Sequence, residues 1–124
     1  MFIFGILALL LGLLGLIWPE LTLRLLNFPV LERAARTSGD FTVTFLTASS
    51  MASFNMGVYY ILAVFSDFKP FYRWTVPFRG LTFIVFTLAA LTGAAPLGFL
   101  GVAVWELTGA VSTGLALYVE TRKK

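Results

Sequence analysis

The chain has 124 residues, 59% of them hydrophobic and only 12% charged, with a mean hydropathy of +0.91. Soluble domains carry about 25% charged residues, so an ordinary water-soluble globule is excluded. At about 20 apolar residues per bilayer crossing, the length accommodates three or four crossings and no sizeable extramembrane catalytic module.

The absence of Cys and His removes disulfides, thiolate nucleophiles, imidazole or thiolate metal sites and Ser-His-Asp chemistry. No metal and no cofactor is expected. The net charge of +3 does not indicate nucleic acid, because no base-reading motif is present. Every Lys and Arg except Arg79 flanks an apolar stretch, as topology-setting charges do.

Residues 1–18 carry no side chain more polar than the indole of Trp18 and reach about 27 Å as a helix, which predicts a first transmembrane span. A cleaved signal peptide is disfavoured, since no cation precedes the apolar run and no small-x-small site follows it. In residues 20–40, Leu21, Leu25 and Phe28 form one stripe and Glu20, Arg24 and Asn27 another. The pattern fits a short amphipathic helix on the membrane surface, broken by Pro29, and equally a continuation of the first span followed by a loop. The polar run Thr37-Ser38-Gly39-Asp40 is placed to cap the next helix.

Residues 41–65 lack charge and predict a second span, unusually rich in hydroxyls and containing Asn55, which should face protein or water. Residues 66–74 read as an interfacial connection with aromatic residues and two cations, Lys69 and Arg73. A third span is predicted at 75–91, with Pro77 in its first turn. The uncharged turn 92–96 and a fourth span at 97–119 follow. Four spans place both termini on one side, with Lys69, Arg73, Arg122, Lys123 and Lys124 there, against Arg24, Arg33 and Arg36 opposite. The excess predicts cytoplasmic termini. The expected fold is an all-α, integral membrane four-transmembrane-helix antiparallel bundle, a single domain with a short amphipathic segment between helices one and two.

Within these spans only Arg79 and Glu106 are acid/base groups other than tyrosines. An intramembrane charge costs about 2.5–3.5 kcal/mol on insertion scales, so such residues normally pair and face the bundle interior. Helical rise places Arg79 roughly 6 Å to the cytoplasmic side of the midplane and Glu106 about 3 Å to the outer side, within reach of each other directly or through one water. Asn55 falls between them in depth, and Tyr59, four residues on, shares its face. Phe83 and Phe86 lie on the Arg79 side of the third span. The expected ligand-binding cluster is therefore Asn55, Tyr59, Arg79, Glu106, Phe83 and Phe86. A buried ion pair that only fixes helix packing is the competing reading. Small residues at helical spacing mark contact faces: Gly5, Gly12 and Gly15; Ser49, Ser53 and Gly57; Ala103, Ala110 and Thr113 beside Glu106.

Four short spans, an Asn-x-x-x-Tyr in the second (Asn55, Tyr59), an arginine opening the third (Arg79) and an acid inside the fourth (Glu106) resemble the small four-helix DoxX-like membrane proteins. Trp74-Thr75, Arg79 and Glu106 are also similar, at different spacing, to the small sterol-pathway scaffold proteins of the endoplasmic reticulum. The DoxX-like resemblance implies a membrane-embedded accessory or ligand-binding role and no catalytic residue. The expected function is binding of an apolar or amphipathic molecule, a quinone, sterol-like compound or lipid, or service as an accessory subunit of a membrane enzyme. An isomerase or hydratase using Glu106, and a transporter or channel subunit, are the alternatives. A homodimer or larger membrane complex stays open.

Overall fold

The computed structural model describes residues 1–122, so Lys123 and Lys124, two of the cations assigned to the cytoplasmic side, lie outside the described residues. All regular structure among the described residues is helical: α1 (Phe2–Ile17), α2 (Pro19–Leu25), a 3-10 turn (Arg33–Ala35), α3 (Thr42–Phe65), α4 (Lys69–Leu91), a second 3-10 turn (Leu97–Phe99) and α5 (Leu100–Arg122). Three of these stretches, Thr42–Phe65, Lys69–Leu91 and Leu97–Arg122, are long and apolar enough to cross a bilayer. The chain forms two compact units, one comprising Phe2–Leu62 and the other running from Ala63 onward together with Met1.

In the first unit, α1 and α3 meet through glycine. Gly5, Gly12 and Gly15 are the buried residues of α1. A Cβ on Gly12 would sit 2.5 Å from the Phe54 nitrogen and 2.7 Å from the Ser50 carbonyl, and one on Gly57 would sit 2.6 Å from the Leu9 nitrogen. These are backbone-to-backbone contacts that no side chain can enter. Ser53 Oγ donates to the Ala8 carbonyl at 2.9 Å. The small-residue face of α3 differs from expectation at one position: Ser50 is buried and Ser49 is exposed. Spacings of three and four from Ser53 both keep a helical face, but Ser50 is the residue whose side chain lies against Gly15, while the Ser49 hydroxyl turns back to the Leu46 carbonyl.

The segment after α1 forms α2, with Pro19 in its first turn and Pro19, Thr22 and Leu23 buried. It ends before Pro29 can act. Asn27 adopts a left-handed conformation (φ 60°), and the Asn27 and Phe28 N–H groups bond the Arg24 and Leu23 carbonyls at 2.9 Å each, a Schellman closure. Beyond it, Arg33 Nε bonds Glu20 at 2.6 Å, which holds the Glu20 carboxyl below its ordinary range. Asp40 accepts the Thr42 backbone N–H at 2.9 Å and the Arg36 guanidinium at 2.9 Å. The Asp40 carboxyl is lowered chiefly by the Thr42 hydroxyl and N–H and, less, by Arg36. The expected cap of the second span is therefore present.

In the second unit α3 closes on Asp67, another left-handed residue (φ 46°), with Phe68 N–H returning to the Ala63 carbonyl at 3.0 Å. The helix that follows starts at Lys69, six residues before the predicted 75. Pro70 occupies its first turn and Pro77 lies inside it, where it removes the N–H that would bond the Arg73 carbonyl. Charge and aromatic content made 66–74 look like a loop, yet two helical turns accommodate both at an interface. Helices α4 and α5 run antiparallel as a hairpin: Lys69 at the start of α4 pairs with Glu120 near the end of α5, and Phe86 packs on Phe99, rings 4.6 Å apart, at the other end.

Burial is the reverse of a soluble domain's. Among the described residues no bulky side chain is fully enclosed, the buried positions are mostly Gly, Ala, Ser and Thr, and large aliphatic and aromatic side chains line the outside.

Candidate functional site

The hairpin of α4 and α5 holds the interior charges. Arg79, 6% exposed, projects from the middle of α4, and its Nε lies 3.7 Å from Glu106 Oε2. With α4 beginning at Lys69, Arg79 sits at the centre of its helix. The sequence also points to a face of α5 for this contact. Ala103, Ala110 and Thr113 are buried there, so Glu106 stands on a packed stripe, its side chain 22% accessible.

Gly109 completes the site and was not singled out from the sequence. A Cβ there would collide with the Arg79 guanidinium, Nη1 first and then Cζ. The arginine thus lies across a gap that only glycine leaves open. The signal was available, since Gly109 is three residues after Glu106, but the stripe of Ala103, Ala110 and Thr113 drew attention to residues with side chains. Thr75, one turn before Arg79, is also buried, its hydroxyl donating to the Tyr72 carbonyl at 2.9 Å.

Phe83 and Phe86 are both half-buried on α4, and Phe86 is engaged by Phe99. Thr87, one turn beyond Phe83, has a buried hydroxyl with no hydrogen-bond partner among the described residues. The structure therefore gathers Arg79, Glu106, Gly109 and the Phe83–Phe86–Thr87 side of α4 into one hairpin. Asn55 and Tyr59 belong to the other unit, where both are exposed on the same face of α3.

Chemically, a 3.7 Å separation is too long for a hydrogen bond. The pair is an electrostatic contact, and its carboxylate is the more accessible member. Among the described residues no group of three or more His, Cys, Asp or Glu side chains is arranged to hold a metal ion. No protein-family model, curated protein or solved structure matches the chain.

Proposed function

We propose that the chain is a multi-pass membrane protein whose α1, α3, α4 and α5 form a four-span antiparallel bundle with both termini cytoplasmic. It binds an apolar or amphipathic small molecule of the quinone, sterol or fatty-acid type beside Arg79 and Glu106, on its own or as a small subunit of a membrane enzyme. The outward-facing apolar side chains and three span-length helices support the membrane placement.

The observation that carries the ligand is a pair of opposite charges placed in apolar helices, Arg79 and Glu106, 3.7 Å apart and with the carboxylate partly accessible from outside. Charges at such positions are functional candidates by default. In this reading Arg79 binds the polar head of the ligand, Glu106 orients Arg79, and Phe83 and Phe86 contact the apolar body. The buried Thr87 hydroxyl offers a second polar contact. Asn55 and Tyr59, exposed on α3 in the other unit, are assigned to contact with a partner instead. The architecture of DoxX-like proteins fits this role.

The test is thermal unfolding of detergent-purified protein with a panel of short-chain quinones, sterols and fatty acids. A ligand at about 100 times its Kd stabilises by about 2.7 kcal/mol, so at least one member is expected to raise Tm by several degrees. Arg79→Lys, which keeps charge but loses the planar fork, is expected to weaken that ligand about tenfold. A panel with no member that shifts the wild type defeats the reading.

A further inference from the structure

We infer that the open end of the α4–α5 hairpin is a phospholipid headgroup site, in which a phosphodiester seats on Arg73 and Lys69. A groove of about 130 Å³ is lined there by Lys69 and Arg73 of α4 and by Leu117, Glu120 and Thr121 of α5. A groove of this size, open on one side, admits a single phosphate group.

The charges are arranged for one anion. Lys69 is held by Glu120 and lies 3.9 Å from Asp67, whereas Arg73, one turn further along the same face of α4, is exposed and makes no ion pair among the described residues. With Lys69 occupied by the Glu120 and Asp67 carboxylates, the exposed Arg73 is the groove cation on which a phosphodiester monoanion seats first, with Lys69 one turn away. A guanidinium matches phosphate oxygens in bidentate geometry. The carboxylate of Glu120 discriminates against ligands carrying more negative charge.

The surroundings identify the source of the phosphate as a lipid. Leu117 supplies an apolar floor, and the groove is at the hairpin end where aromatic rings gather. Phe68 and Trp74 meet edge to face at 6.0 Å, and the Arg122 guanidinium lies 4.6 Å from the centre of the Tyr118 ring. Such a cation and aromatic belt marks the headgroup level of a bilayer, and basic pockets between helices at that level take lipid phosphates. The inference rests on the membrane placement proposed above and is independent of any ligand at Arg79.

Native mass spectrometry of the detergent-purified chain with added phosphatidylglycerol tests it. The wild type should carry a discrete lipid adduct, reduced at least fivefold by Arg73→Ala and by Leu117→Trp, which fills the groove and leaves both cations in place. Circular dichroism melts of both variants establish that they fold. Absence of a wild-type adduct, or an adduct unchanged in the two folded variants, overturns the assignment. A second arm offers inorganic phosphate. Binding of phosphate without the lipid overturns the lipid source, whereas lipid binding unaffected by millimolar phosphate supports it. The panel used for the Arg79 ligand contains no phosphate-bearing compound, so the two proposals fail separately.

Discussion

Two helix contacts, one within each compact unit, depend on glycine for different reasons. Between α1 and α3, Gly12 and Gly57 face backbone atoms, and the neighbouring helix itself occupies the space of the missing side chain. Between α4 and α5, Gly109 faces the guanidinium of Arg79, and the space is taken by the end of a long side chain. A main chain cannot step aside without moving its whole helix, while a side chain can turn about several bonds. The first contact should therefore be brittle and the second adjustable, although both look like small-residue packing in the sequence.

The largest effect is expected at the brittle contact. Gly12→Leu puts a branched side chain where a Cβ alone would approach the Phe54 nitrogen to 2.5 Å. Overpacking costs typically 1–3 kcal/mol where side chains can shift, and at least the upper end is expected where only backbone can. Size-exclusion recovery and a thermal melt in detergent should show loss of most folded protein. A melt within two or so degrees of wild type, about 0.5 kcal/mol at this chain length, would mean the helices separate easily and would remove the contrast.

A smaller effect is expected at the adjustable contact. Gly109→Ala should cost about 1–2 kcal/mol, within the range for modest overpacking, because Arg79 must be displaced. That cost should largely vanish when alanine also replaces Arg79. The double-mutant cycle measures the coupling. Equal costs in the two backgrounds would show that Gly109 is needed for some other neighbour.

The smallest effect lies outside both contacts, at the entry to α3. Asp40 has a native carboxyl held below its ordinary value, first by Thr42 and then by Arg36. A lowered native value means stability that is present above the ordinary carboxylate range and lost as pH falls through the native one. A shallow acid-side decline in the melting temperature is expected, and Asp40→Asn should flatten it. A decline of equal depth in the variant would assign it to other acids, Glu20 with its Arg33 partner being the first to test.

Much of this was legible in the sequence because apolar runs and small-residue spacing are local signals. The glycine face of α1 and the Ala103, Ala110 and Thr113 face of α5 follow from 3.6-residue periodicity alone. The Arg79–Glu106 contact followed from scarcity, since two interior charges in a low-dielectric span have few partners other than each other. What was lost needed geometry that periodicity does not carry. Ser49 and Ser50 are equally acceptable neighbours of Ser53 on a helix, and only the approach of Gly15 separates them. The start of α4 was hidden because Lys69, Pro70 and Arg73 satisfy a loop description and an interfacial helical turn alike. Gly109 escaped because its role is an absence, visible only once the arginine crossing it is placed.

In the four-span arrangement proposed above, the length of α1 bears on the lipid around it. Its 16 residues rise about 24 Å, less than the roughly 30 Å of a typical hydrocarbon layer, whereas the 23 residues of α4 rise about 34 Å and have length to spare. A short span thins the adjoining lipid and a long one tilts, each at a fraction of a kcal/mol per ångström of mismatch. As a spanning helix, α1 makes acyl-chain length a thermodynamic variable of the fold: shorter-chain lipids should stabilise the glycine-sealed unit, and thicker bilayers should draw on the stability of its α1–α3 seam.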